Sequence, residues 1–530
     1  MSAITPQTEL KLLKCPIESD NRNQMTFTNA TTQYNYFNSL PKLEVDNFTY
    51  QRKDGVIRYP AHIDSILTYN YVMYQNEAYS NKWFYAFITK MEYVNDNMTY
   101  ITIKTDVYQT WQFDMVWKRS FIERQHVNDD GIGKNTIPEN LETGEYKVNS
   151  MVQDSLMGRN SLAYYLMTTL DLSGVGSKNP LQQTSGGIYN GIYSGANYWR
   201  FNSENYGSIK NILEWVAKCG QLDGIIGLFI CPMWLDESDS NKVAESDEVN
   251  SYQLDIGNIT TVDGYTPKNK KLLVYPYSYM SVSNGGGNAH IYHYELFNDK
   301  TKCQFTIYSA LCPGGSIKLV PRNYNGIALN RQEGLSLGKF PTCSYNTDMY
   351  TNWLTQNSVN FAGGTWSTDE FSGMSALSGL FGIGSGLYKG DLIGASTSGI
   401  STFTNVGNAL IQKKQHELIS NGVQGDLNNG DVVTAMGDNR FTFYRMSVRQ
   451  EYAKIIDNYF SMYGYQVNTV ALPNITGRKN WNFVKTSGAN IEGNIPEGDI
   501  NELKDIFNRG VTLWHKASTY LDYSQDNSIV

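Results

Sequence analysis

Charge is scarce in this chain. Charged residues are 18% of its 530 residues, below the ~25% of an average soluble protein. The 43 Lys and Arg stand against 51 Asp and Glu, a net of −8. A nucleic-acid binder needs a basic face to neutralise phosphates, and this is not that footprint. Cysteine is scarce too. Cys15, Cys219, Cys231, Cys303, Cys312 and Cys343 form no CxxC pair. Six in a chain this long are not a disulfide scaffold, so reduced structural thiols are expected. Met1 to Pro6 has neither a basic n-region nor an apolar h-region. No secretory signal peptide is expected, and a protein acting outside the cell would leave it by another route, such as lysis.

Catalytic signatures are missing. There is no HExxH, GxSxG, GxxxxGK[ST] or EF-hand loop. His290 and His293 have an i, i+3 spacing within a β-like stretch, where the two rings point to opposite faces rather than to one metal. Cys303 and Cys312 flank the β-like run Gln304 to Leu311 with no neighbouring base to lower a thiol pKa. Asp129-Asp130, Glu245 with Asp247, and the Ser-rich segment Asp236 to Glu248 read as solvated loop charges. A carboxylate pair could still meet in space, so a wall hydrolase is neither excluded nor supported. The expectation is no enzyme, no cofactor and no metal.

What the chain does have is aromatic and polar β-formers. Aromatics are 13% of it, 38 of them Tyr. Such a composition excludes intrinsic disorder and coiled coils and points to sheet. The length predicts roughly two to four domains. Residues 1–125 read as β, with Lys82 to Val94 and Met98 to Thr105 as a hairpin across Asn95-Asp96-Asn97. Residues 126–150 read as a polar linker and 151–320 as a second unit with short apolar runs, such as Gly224 to Cys231.

The last region, 440–530, reads as α+β. Tyr452, Ile455, Ile456, Tyr459, Phe460 and Tyr463 form a helical stripe ended by Gly464. A second helix is predicted to start at Asp499, with Glu502 as its capping-box partner, and to end at Gly510.

One segment breaks the rules of a globular domain. Phe371 to Tyr388 carries no charge over eighteen residues and holds five glycines, and after Lys389 and Asp391 the stretch Leu392 to Gln412 is again uncharged. Each glycine costs ~1 kcal/mol in a helix relative to Ala, which argues against a core helix. A flexible linker would not carry so many large apolar residues. A biosynthetic transmembrane helix would be more apolar. Two readings stay open on composition: a membrane-active segment, or a loop packed inside an oligomer. Ser375 with Gly379, and Gly382 with Gly386, are small residues four apart that would let helical copies pack closely in lipid.

The chain resembles the tail knob (distal tail tube) proteins of small short-tailed podophages that infect Gram-positive bacteria. The resemblance lies in an ordered set of segments: Asn81 to Val94, Thr105 to Trp111, Ser120 to Val127, Lys271 to Asn284, the Gly/hydrophobic loop, Phe443 to Asn468, Trp481 to Pro496 and Ile506 to His515. It implies a mainly β fold with some α, in which tube-forming β-barrel-like domains hold an inserted knob domain and a long apolar loop. The implied division is tube at 1–135, knob at 136–325, tube again at 326–365, loop at 366–411 and tube at 412–530.

The resemblance further implies a homohexamer that joins adjacent tail tube and collar proteins. Viral DNA would pass its lumen without specific binding. The loop would plug the channel and, on infection, form a pore among host membrane lipids. Phe371, Met374, Leu377, Leu380, Phe381, Ile383, Leu387, Leu392 and Ile393 are then the candidate membrane-contacting residues. The implied location is the virion tail tip, after assembly in the host cytoplasm. The alternative is a tail module without membrane activity that binds cell-wall glycans through aromatics such as Trp199, Trp215 and Trp234.

Overall fold

The computed structural model describes residues 8–45, 49–51, 55–76, 82–153, 162–201, 207–236, 241–284, 289–312, 316–326, 335–339, 342–344 and 441–530. The architecture is mainly β. Its α-helices among the described residues are α1 (Ala30–Ser39), α2 (Val107–Trp111), α3 (Gly207–Lys218), α4 (Gln450–Tyr463) and α5 (Glu497–Arg509). The chain forms two compact units. The first takes Met1–Thr143, Pro267–Leu272 and Glu451–Val530, and the second takes Gly144–Thr266 and Leu273–Gln450.

In the first unit, seven strands run in the order Lys42–Val45, Thr8–Leu13, Tyr71–Asn76, Trp83–Asn95, Met98–Thr105, Val56–Tyr59, Thr49–Gln51. Alternation of side chains buries both faces. Leu13, Tyr71, Met73, Tyr85 and Phe87 join Phe37 of α1 on one face. Leu10, Leu12, Val72, Ile57 and Ile101 line the other. The Phe37 ring stacks on Tyr71, with centroids 5.6 Å apart. The hairpin expected from the sequence is present, closing at the Asn95–Met98 pair. Its outer part, from Glu92 to Asn97, is exposed.

A second sheet of this unit orders Asn23–Met25, Val511–Trp514, Trp481–Ser487, Ser120–Gln125 and Tyr465–Ala471. It joins strands from the two ends of the chain, and Asn23–Met25 runs parallel to Val511–Trp514. α5 lays Leu503, Ile506 and Phe507 against Val484, Val511 and Leu513 of this sheet.

Two helix details differ from the sequence expectation. α5 begins at Glu497, and its cap residue Pro496 makes no side-chain cap bond. The Asp499 carboxylate instead accepts from the Trp111 indole N–H at 2.8 Å, and Glu502 pairs with Lys104 at 2.6 Å. Long-range partners therefore took the two side chains that read as a capping box. In α4 the buried face is Ala453, Ile456, Asp457 and Phe460, while Ile455 is 67% exposed. The apolar stripe is real but rotated, because a buried aspartate holds its centre. Gly464 ends the helix as expected, with φ +64° and its N–H on the Phe460 carbonyl.

Among the described residues the second unit holds three four-stranded sheets. One is Tyr146–Gln153, Thr442–Val448, Ser278–Ser283, Ala289–Tyr292. Another is Asn197–Phe201, Leu162–Thr168, Ile225–Pro232, Thr342–Ser344. The third is Ser251–Gly257, Lys302–Ser309, Ser316–Pro321, Leu335–Lys339. α3 covers the second of these with Ile209, Leu213 and Val216 packed on Leu166, Phe201 and Leu228.

Among the described residues no helix is long and apolar enough to cross a membrane. Residues 366–411, and with them every candidate membrane-contacting residue named above, lie outside the described residues.

Candidate functional site

The stretch read as a passive linker, 126–150, carries buried ionic groups. The Glu139 side chain is fully enclosed and lies 2.7 Å from the Lys271 ammonium, itself 3% exposed. Lys271 also donates to the Ile137 carbonyl at 2.8 Å. The other Glu139 oxygen accepts from Arg124, and the first also takes the Gln466 N–H at 2.9 Å. One carboxylate thus ties the strand Ser120–Gln125, the strand Tyr465–Ala471 and the short segment Pro267–Leu272. Phe460 and Tyr465 face the Lys271 ammonium with their rings at 5.7 and 5.2 Å. Burial pushes the Lys271 ammonium below its ordinary range, against the pull of Glu139.

Two more carboxylates hold the same segment. Asp457, fully buried on α4, accepts from the Lys268 N–H at 2.8 Å and the Asn269 N–H at 3.0 Å. The Asn269 amide returns to Asp457 and to the Ser461 hydroxyl, each at 2.8 Å. Asp130 accepts from the Lys270 N–H at 2.9 Å and from the Tyr465 hydroxyl. The expectation of a solvated Asp129-Asp130 pair therefore fails for Asp130, whose carboxyl burial holds above the usual range. Asp129 is exposed as expected. The acidic segment is corrected likewise at one end: Asp236 is buried beside Arg200, while Glu245, Asp247 and Glu248 are exposed.

The motif Thr105 to Trp111 is a second joint. Asp106 caps α2, its carboxylate accepting from the Gln109 N–H at 3.1 Å and the Tyr71 hydroxyl at 2.9 Å. Burial raises its pKa to about 6. Gln109, fully buried, donates to Gln24 at 2.9 Å and accepts from Gln33 at 3.0 Å. Three glutamines thus link α1, α2 and the strand Asn23–Met25.

His126 is also buried. Its Nδ1 accepts from the Phe483 N–H at 2.8 Å, so Nε2 carries the proton, 3.1 Å from the Ser461 carbonyl. Burial depresses its pKa to about 3.

None of this is a reaction centre. His290 pairs opposite Val282 on its strand, and His293 lies past the strand end, its ring stacked on Tyr275 at 4.1 Å. No metal-holding group of His, Cys, Asp or Glu occurs among the described residues. Cys15, Cys219, Cys231, Cys303 and Cys312 are free thiols, and burial pushes the Cys15 thiol up to about 12. The aromatics considered for sugar stacking are largely occupied. Trp199 is 7% exposed in the core of the second unit, and Trp215 packs on the same core with its indole N–H on the Lys178 carbonyl. Trp234 is half-buried.

The local geometry is that of a scaffold, and comparison with known proteins gives the scaffold its class. Residues 240–528 match the family model for the C-terminal domain of the tail knob protein gp9 of Bacillus phage phi29. The chain belongs to the phage tail knob family. Residues 6–118 also match the N-terminal model of caudoviral major tail proteins. Tail knob protein gp9 of Bacillus phage phi29 is 26% identical, with 98% of each chain covered. That of Bacillus phage PZA is 26% identical over the same shares. The tail knob protein gp12 of bacteriophage C1 has the same fold, with a TM-score of 0.65 at 19% identity over 99% of this chain and 100% of that one.

The chain is therefore a structural component of a phage tail and of the virion, working with other tail proteins, and not an enzyme. Within the tail knob family reading, the buried carboxylates fall where a structural part needs them. They fix a segment that visits the first unit for only six residues, Pro267–Leu272. Sequence inspection missed Glu139, Lys271, Asp457 and Asp106. The one signal available, for Lys271, Asp457 and Asp106, was their presence within the segments that carry the resemblance, and Glu139 lies outside them.

Proposed function

We propose that this tail knob protein forms a six-membered ring at the distal tail tube, and that residues 366–411 plug its channel and then open a pore in the host membrane. The observation that carries the reading is the uncharged, glycine-studded apolar stretch Phe371 to Tyr388 inside a tail knob chain. Its residues are apolar enough to enter a bilayer and polar enough to stay in water before triggering. Phe371, Met374, Leu377, Leu380, Phe381, Ile383, Leu387, Leu392 and Ile393 are the proposed lipid-contacting or loop-packing positions. In this reading the tube is built from 1–135, 326–365 and 412–530, and 136–325 is the inserted knob. The net charge of −8 suits a lumen that repels DNA phosphates.

Negative-stain electron microscopy of the purified chain tests the ring. A six-fold ring with density across its lumen supports the proposal, and a monomer at all concentrations counts against it.

A further inference from the structure

Two of the free thiols come together in the second unit. Cys231 lies near the end of the strand Ile225–Pro232, and Cys312 lies just past the strand Lys302–Ser309. Both residues converge on one atom, the Ala310 carbonyl oxygen. The Cys231 thiol donates to it at 3.9 Å. The Cys312 N–H donates to it at 3.0 Å, closing a three-residue turn that brings Cys312 back beside that oxygen.

The electrostatics agree with this proximity. The Cys312 N–H favours the Cys231 thiolate, and the Cys312 sulfur opposes it. Both sulfurs act on the Tyr198 hydroxyl. Burial holds both thiols above their ordinary range. Three other cysteines are placed differently. Cys15 belongs to the first unit. The Cys303 thiol donates to the Asn258 side-chain oxygen at 3.0 Å. Cys219 packs against the core beneath α3.

The two partners differ in access and in freedom. Cys312 is half-buried, within reach of a small reagent, whereas Cys231 is fully buried. Cys231 is fixed in its ladder opposite Ala163. Cys312 stands beyond Ser309, the last paired residue of its own strand. One anchored thiol and one outside the ladder can settle to the roughly 4 Å Cβ separation that a disulfide needs.

We propose that Cys231 and Cys312 form a disulfide when the virion meets an oxidising medium, with Cys312 as the entry thiol and Cys231 as the thiol that completes the bond. Disulfides persist on virion surfaces and are rare in a reducing cytosol, which fits a pair that starts free. The oxidant is a small-molecule disulfide. Cys312 gives up its proton and its sulfur attacks that disulfide. One small thiol leaves with the proton, and a mixed disulfide remains on Cys312. Cys231 then gives up its proton and attacks the Cys312 sulfur, and the second small thiol leaves with that proton. Two protein thiols are oxidised and one small disulfide is reduced to two thiols. The bond ties the sheet of Ile225–Pro232 to the sheet of Lys302–Ser309. It closes a long loop, the kind that gains most from such a link.

Oxidised glutathione added to the native full chain tests this. Alkylation after unfolding, read by mass spectrometry, should find two fewer reactive thiols and a linked peptide pair carrying Cys231 and Cys312. The oxidised chain should also unfold at a higher midpoint than the reduced one. Cys231→Ala should stop at glutathione held on Cys312. Cys312→Ser, at the half-buried position, should take up no glutathione at Cys231 and show no shift in midpoint, and it serves alone if Cys231→Ala does not fold. A wild-type chain that keeps both thiols, or that holds glutathione on Cys312 without closing the bond, would overturn the pair. So would a link from either residue to another cysteine or to a second chain. An unchanged midpoint in chains that carry the bond would overturn its role in tying the two sheets.

Discussion

Lys271 and Glu139, more than a hundred residues apart, meet as an enclosed ion pair with Nζ and Oε1 2.7 Å apart. Two buried charges are stable together only when each is fully answered. Here Ile137 and Gln466 supply the extra hydrogen bonds, and Arg124 adds a second cation.

The cost of removing one member of this pair should therefore depend on whether the other is present. Glu139→Gln should destabilise the first unit by about 3–5 kcal/mol, by leaving the buried Lys271 ammonium unanswered, and Lys271→Met should cost less, because Arg124 still answers Glu139. The double variant Lys271→Met with Glu139→Leu should cost less than the sum. Urea unfolding measures all three, and additive losses would show that the two groups do not depend on each other.

The buried imidazole of His126 sets an acid limit. Unfolded, it takes up a proton near its ordinary pKa of ~6.5. Folded, it resists until about 3. Between these values the unfolded chain binds more protons, so stability falls as pH falls, by about 2 kcal/mol at pH 5 from this ring. Asp106 acts the opposite way. Its folded pKa of about 6 exceeds the unfolded value, so its contribution is full below pH ~4 and is lost as pH rises through 6. Asp106→Asn should remove that opposing slope and leave a steeper acid loss in a urea series from pH 7 to 4. An unchanged slope would contradict the burial argument.

Gly464 cannot be replaced without moving a neighbour. Its φ is +64°, and a Cβ there would stand 2.2 Å from the Gln125 carbonyl oxygen. Gly464→Ala should cost roughly 2 kcal/mol or more, above the ~1 kcal/mol of a purely conformational penalty. A smaller shift in the unfolding midpoint would mean that the strand Ser120–Gln125 gives way easily.

Gln109 holds three elements through one amide. Gln109→Leu has a similar volume but leaves Gln24 and Gln33 without their partner. The expected loss is about 1–3 kcal/mol. Gln109→Glu should be no milder, because it removes the donor to Gln24 and buries a charge.

The sequence made some of this legible. The hairpin Trp83 to Thr105 could be read because period-2 alternation and an Asn/Asp turn are local signals. Gly464 and Gly510 could be read as helix ends for the same reason. Local pattern failed where distant side chains competed. Asp499 looks like a cap until Trp111 claims its carboxylate, and Ile455 looks like core until Asp457 turns the helix. The joints through Glu139, Asp457 and Asp106 join residues brought together only by folding, so no spacing announces them. The apolar loop was the clearest functional signal in the sequence, and it lies outside the described residues.

The most direct test of the account is dye release from liposomes by assembled full-length protein and by protein lacking residues 366–411. The account predicts that both assemble, that the full-length rings release dye once triggered, and that the shortened rings do not. Dye release by the shortened rings at the full-length rate would contradict the assignment of the membrane pore to that loop.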